Sequence, residues 1–240
     1  MAEKIRIGIV AAMEREIAPL VRGWERAVNF GTHGHMPAFR MNGAVLICSG
    51  IGPDRAFSNT KDLIESFQPE IVLSVGFAGS LRRDLAVGEI LIPQQVVRAS
   101  DGTKMSTAFG HGVLVTVDAM AGFGTKQELD RRYRADAVDM EAAAVAAAAA
   151  AHGLRFAAMK AVSDGLDDEL DFLAPFVRPE GFQTRRFLAY VAVRPKLWGV
   201  VSRLKHNSER ASAALCAAIE EFLSAPERFA ERWREAPSVK

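Results

Sequence analysis

Cysteine is scarce in this chain, with only Cys48 and Cys216 among 240 residues. Two thiols so far apart in sequence are read as a buried, reduced pair rather than a disulfide framework, and they point to the cytosol. A surplus of charge is lacking too, since 30 Lys and Arg face 29 Asp and Glu. The whole-molecule field therefore gives no argument for nucleic acid or an anionic membrane, and a neutral small molecule is the easier partner. No uninterrupted apolar run is long enough to cross a bilayer. The amino terminus meets charge at Glu14, Arg15 and Glu16 soon after its first apolar run and carries no signal-peptide cleavage pattern. Membrane association is not indicated.

Missing motifs narrow the chemistry. Gly76-Phe77-Ala78-Gly79-Ser80 follows a strand-like segment, but its spacing is not G-x-G-x-x-G, so a dinucleotide site is poorly supported. Ser80 and Ser163 lack the G-x-S-x-G elbow of serine hydrolases. His33 and His35 form an H-x-H pair with no carboxylate or Cys close in sequence, which favours a turn over a metal site.

What remains is a well-mixed globular composition. Hydrophobic residues make up 49% and charged residues 25%, which argues against disorder. The length suits one α/β domain over residues 1–240, with no compositional break. Ile5–Ala12 reads as a buried first strand, and the following MEREIAPLVRGW has the apolar spacing of an amphipathic helix. The GTHGHM segment at 31–36 reads as a turn, 38–41 and 44–49 as paired strands, 50–53 as a loop and 54–67 as a helix. A buried strand over 70–75 runs into the glycine loop at 76–80, and 88–97 gives one more strand. Residues 100–112 read as a mobile loop, 112–117 as a strand and 126–133 as a short helix. An alanine helix begins at Glu141 and stops at Gly153, and 156–162 is a strand ending near Ser163 and Asp164. The segments 172–176 and 182–198 are apolar with interspersed Arg and Pro, and their layout is the least legible part of the chain. A helix over 208–223 and a charged tail close the chain.

Three carboxylates stand where chemistry is expected. In an open α/β sheet, ligands bind beyond the carboxyl ends of strands, which is where Glu16 and Asp164 fall. An Asp near a leaving base can donate a proton, a Glu can accept one from water, and a second Glu can bind sugar hydroxyls. Asp164, Glu16 and Glu141 suit those roles in that order. The local patterns also allow plainer roles. Glu141, Glu14 and Glu16 would favour helix N-terminal dipoles, and Asp164 would be an ordinary loop or capping residue.

Taken together, IGIVAAMEREI at 7–17, SGIG at 49–52, SVGFAGSL at 74–81, VGEILIP at 87–93, VDMEAAA at 138–144 and KAVSD at 160–164 resemble the purine nucleoside phosphorylase/uridine phosphorylase superfamily. Within it they look most like methylthioadenosine/S-adenosylhomocysteine nucleosidases. The resemblance implies a three-layer α/β/α fold around a mixed, partly barrel-shaped central sheet, assembled as a homo-oligomer with a dimer favoured. It implies a water-activating Glu16, a ribose-binding pair Met140 and Glu141, and an Asp164 that protonates adenine. Ser163, Phe77, Ala78, Gly79 and Lys160 fall in the substrate-binding segments. Phe77 stands where those nucleosidases have a small polar residue, Lys160 where they usually have Arg, and the region from Gly110 to Asp118 is shortened.

The expected activity is hydrolysis of the N-glycosidic bond of an adenine nucleoside without metal or organic cofactor, in the cytoplasm. The phosphate-holding Arg motifs of the superfamily's phosphorylases do not appear, although Arg15 and Arg82 keep phosphorolysis as an alternative. The segment 194–208 is similar to phosphorylase-like proteins associated with hopanoid synthesis, which act on an adenosyl lipid. A non-catalytic nucleoside-binding protein is the alternative from another class.

Overall fold

The computed structural model describes residues 6–30, 36–178 and 181–235. The turn read at 31–36, with His33 and His35, lies largely outside the described residues. The chain runs β1 (Ile7–Ala11), α1 (Glu14–Val21), β2 (Glu25–Phe30), β3 (Met36–Met41), β4 (Ala44–Cys48), α2 (Pro53–Phe67) and β5 (Ile71–Ser80). It continues through β6 (Ile90–Leu91), β7 (Gln95–Arg98), β8 (Lys104–Ser106), β9 (Val113–Thr116), α3 (Phe123–Tyr133), β10 (Ala137–Asp139), α4 (Ala142–Ala151) and β11 (Arg155–Asp164). The last part holds α5 (Thr184–Ala192), α6 (Trp198–Ser224) and α7 (Pro226–Glu235).

These eleven strands make one mixed sheet, in the order β2-β3-β4-β1-β5-β10-β9-β7-β8, with β11 pairing β5 and β6. Its hub is β5. Residues Ile71–Ser74 lie parallel to β1, the parallel pairing with β11 runs from Ile71 to Gly79, and antiparallel β10 joins at Gly79 and Ser80. A strand with three partners makes the sheet branch instead of running flat.

Side chains alternate across the sheet as the two-residue repeat of a strand requires. Ile9, Leu46, Leu73 and Met159 pack on one side with Ile17, Leu215, Ile219 and Phe222 from α1 and α6. Val10, Ile47, Val72 and Ala158 pack on the other with Leu63 of α2 and the alanines of α4. The result is the expected three-layer α/β/α arrangement. Helix α4 is apolar on all sides, the pattern of a buried helix; it lies between α2 and the sheet, and only its last turn, at Ala150 and Ala151, reaches the surface. Alanine's small side chain permits that close approach without loss of rotamer freedom.

Several expected boundaries change. The GFAGS segment is strand, not loop: β5 continues to Ser80 because Gly76 adopts φ 144°, a conformation open to glycine. Residues 88–97 form two strands split at Ile92-Pro93, since proline has no N–H for the ladder. Part of the 100–112 segment is strand β8, paired antiparallel with β7. Strands β2 and β10 carried no clear pattern in the sequence, and α6 begins at Trp198, ten residues before the amphipathic signal at Ser208. Cys48 and Cys216 are both free and buried.

Candidate active site

The first carboxylate is set by the turn from β1 into α1. Glu16 is the third residue of the helix, and its Oε2 accepts a hydrogen bond from the Met13 backbone N–H at 3.1 Å. This closes the first turn and draws the side chain inward, so that Glu16 is 3% exposed while Glu14 stays at the surface. Gly76 makes the space: a Cβ there would stand 3.2 Å from Glu16 Oε2. Burial raises the pKa of Glu16, against the opposing pull of the Met13 and Phe77 backbone N–H groups and of the Lys160 and Arg15 charges.

Glu141 occupies the N-cap position of α4, but its side chain makes no capping bond. It reaches across to the loop before α2, where the Gly52 backbone N–H donates to its Oε1 at 2.9 Å. The helix is capped from elsewhere. Asp139 Oδ2 accepts from the Ala142 N–H at 2.9 Å, and Thr116 Oγ1 accepts from the Ala143 N–H at 3.0 Å. Glu141 is thereby released from the dipole role that its position suggests. Burial and then the neighbouring Asp139 charge push its pKa up to about 8, with Lys160 and the Gly52 N–H opposing.

Lys160 is the cation behind both acids. Its Nζ lies 2.9 Å from Asp139 Oδ2 and donates to Ser74 Oγ at 3.1 Å, and both charged side chains are almost wholly buried. Burial pulls its pKa down, but Asp139, Glu141 and Glu16 more than offset that and leave it raised.

Asp164 ends β11. Its Oδ1 accepts from Ser163 Oγ at 2.7 Å, and its Oδ2 faces the ammonium of Lys126 on α3 at 2.5 Å. Lys126 also donates to the Gly165 carbonyl at 2.6 Å and is 1% exposed. A Cβ at Gly79 would meet Asp164 Oδ2 at 2.8 Å and Lys126 Cε at 3.0 Å. The absence of a side chain at residue 79 is what lets this pair sit against β5.

One cavity of about 740 Å³ joins these groups. Glu16, Phe77, Ala78, Gly79, Met140, Glu141, Ser163 and Asp164 all line it. Lys160 does not; it stands one layer behind, touching the site through its carboxylate neighbours. Arg15 lines the rim with its guanidinium 5.5 Å from the Phe182 ring centre, whereas Arg82 stands outside, paired with Asp84 and Asp136. The far wall is apolar, built from Leu170, Leu173, Phe182, Phe187, Val201 and Leu204. Lys126 and that wall were not foreseen. A lysine inside a short helix reads as a solvated charge, and only its tertiary partners, the Asp164 carboxylate and the Gly165 carbonyl, turn it inward. Asp139 had a weak signal, being next to Met140 and Glu141.

A mixed α/β sheet with acids gathered at the ends of β1, β10 and β11 defines a class, and comparison with known proteins gives the same one. The family described as the phosphorylase superfamily matches residues 6–129 and 104–186, and the chain belongs to it. Among its relatives is a 5'-methylthioadenosine/S-adenosylhomocysteine nucleosidase of Geobacillus kaustophilus, 35% identical over 149 residues, which are 60% of this chain. The chain spans 57% of that relative's length. The Listeria welshimeri protein of the same name is 28% identical, over 68% of this chain and 88% of its own. The fold is shared with the Colwellia psychrerythraea nucleosidase crystallised with adenine, at a TM-score of 0.69, 19% identity and coverage of 92% of this chain and 95% of that one.

Proposed function

We propose that the protein hydrolyses the N-glycosidic bond of an adenine nucleoside. The observation that carries this reading is the convergence of Glu16, Glu141 and Asp164 on a single cavity. In the reaction, the C1′–N9 bond breaks as the C1′–oxygen bond to water forms. Glu16 orients the water and takes its proton. The Asp164–Lys126 pair supplies the proton that N7 receives, so adenine leaves neutral. Glu141 and Met140 hold the ribose, with the Glu141 carboxyl group hydrogen-bonded to its hydroxyls. Ser163 and the Phe77–Gly79 backbone bracket the base. Lys160 positions Glu16 and Glu141 from behind. Proton transfer and electrostatics supply all of these steps.

Relatives named as nucleosidases support this reading, as does the position of Arg82 outside the cavity, paired with Asp84 and Asp136. The decisive assay is adenine release with and without phosphate. Phosphate-independent release that Asp164→Asn abolishes is expected, and near-normal release by Asp164→Asn would sink the assignment.

A second reading is phosphate-dependent cleavage of an adenosyl group carried on a lipid. The apolar wall from Leu170 to Leu204 favours it, since a free nucleoside leaves such a wall unused. A panel of adenosine, methylthioadenosine, S-adenosylhomocysteine and an adenosylated lipid separates the two. Calorimetric binding without product would instead mark a nucleoside-binding protein. We place the chain in the cytoplasm, a reading supported by its two free, buried cysteines, and as a homodimer, which the resemblance to the nucleosidases implies.

A further inference from the structure

The overall charge balance hides a strong local asymmetry. From Gly181 to Ser208 the sequence contains Arg185, Arg186, Arg194, Lys196, Arg203 and Lys205 and no Asp or Glu. All six cations are exposed. Arg203 pairs with Asp168 and Lys205 approaches Glu209, but the other four have no ion pair with a described carboxylate. Arg186 donates to Gln183, and Arg194 lies over the Tyr190 ring.

The same segment holds unusual apolar exposure. Among the described residues the exposed large apolar side chains are Phe57, Leu188, Val193 and Trp198, and the last three fall together, at 56%, 74% and 57%. They are held in place from beneath. Phe187 and Val191 pack into an aromatic cluster with Phe176, Phe182 and Tyr190. Trp198 Nε1 donates to the Val191 carbonyl at 3.1 Å, which ties the start of α6 to α5 and leaves the indole ring outside. Leu188 also lines the cavity, so this patch adjoins its mouth.

From this juxtaposition we propose that α5 and the start of α6 form a peripheral docking surface for an anionic lipid bilayer, with Leu188, Val193 and Trp198 entering the headgroup boundary and Arg185, Arg186, Arg194 and Lys196 meeting lipid phosphates. Amphipathic segments with basic and aromatic residues and little acid bind interfaces in this way, and an indole ring with its N–H satisfied suits the headgroup level. A second copy of the chain fits less well, because a two-fold contact sets this cationic patch against itself. Nucleic acid would use the cations but gain nothing from Leu188 and Val193, which contribute only where they leave water. The proposal stands on the surface alone and does not depend on which bond the site cleaves.

The test is co-sedimentation of the full chain with vesicles of phosphatidylcholine alone or mixed with phosphatidylglycerol, at low and high salt. Binding to the anionic vesicles, weakened by salt, is expected. Arg185→Glu/Lys196→Glu should reduce the partition coefficient at least roughly fivefold, and Val193→Asp should reduce it without a change in thermal midpoint, as the side chain is exposed. Trp198→Ser gives a second apolar test. Failure to bind anionic vesicles overturns the proposal. So does binding indifferent to both Val193→Asp and Trp198→Ser, or retention on duplex DNA with that same indifference. A dimer that the Val193→Asp variant dissociates, in the absence of vesicle binding, would assign the face to a second copy.

Discussion

The Lys126 ammonium lies 2.5 Å from Asp164 Oδ2 and 2.6 Å from the Gly165 carbonyl oxygen, so the acid at the end of β11 is half of a buried ion pair. The two groups should therefore act as a unit. Lys126→Met and Asp164→Asn should each slow adenine release by roughly 10²–10⁴-fold, the range of a positioned acid–base group. The double variant should be no slower than the slower single one. Losses that add in the double variant would show that Lys126 and Asp164 act separately.

Gly76 carries a conformational and a spatial demand at once. With φ 144° and Glu16 Oε2 only 3.2 Å from a would-be Cβ, Gly76→Ala should cost about 1–3 kcal/mol in backbone strain and displace Glu16. Stability by urea unfolding and turnover should fall together. Gly124, in the first turn of α3, has nothing within 4 Å of a would-be Cβ. Gly124→Ala should be neutral or stabilising by about 0.4–1 kcal/mol, which makes it the control.

The Asp139–Lys160 pair is buried on both sides and linked to Thr116, Ser74 and the α4 N-terminus. Removing one charge strands the other in the core. Lys160→Met should therefore lower stability by about 3–5 kcal/mol. A loss below about 1 kcal/mol in chemical denaturation would mean that water or Glu141 compensates, and that Lys160 does not hold the acid cluster together.

Burial and the Asp139 charge raise Glu141 from its ordinary 4.5 to about 8. The folded chain then keeps a proton that the unfolded chain releases above 4.5. Glu141's contribution to stability is complete below that pH and is lost as pH rises through about 8. Glu16, raised by burial, acts in the same direction. Glu141→Gln cannot ionise, so its thermal midpoint relative to the parent should climb between pH 5 and 8.5 (roughly the window bounded by those two values). Parallel profiles for variant and parent would contradict the raised pKa.

Much of this was legible from local pattern. The β-branched run of β1, the helical spacing of α2, the apolar run of β11 and the alanines of α4 each carry their own geometry, because strand and helix preferences act over a few residues. The motifs around Glu16, Met140, Glu141 and Asp164 likewise singled out side chains that line the cavity. Short or irregular elements were illegible for the same reason. Strands β2 and β10 owe their form to neighbouring strands more than to their own composition, and α6 extends beyond its amphipathic stretch because its first turns are held by α5.

By itself, then, the sequence determined the layered α/β fold, the family and the three carboxylates, since these rest on local spacing and residue type. Only the tertiary structure decided how the acids are held. Asp139, not Glu141, caps α4. Lys160 stands behind the cavity, and Lys126 turns inward to pair with Asp164. Charges distant in sequence meet only when the sheet brings α3, α4 and β11 together, and burial then governs which of them can remain ionised.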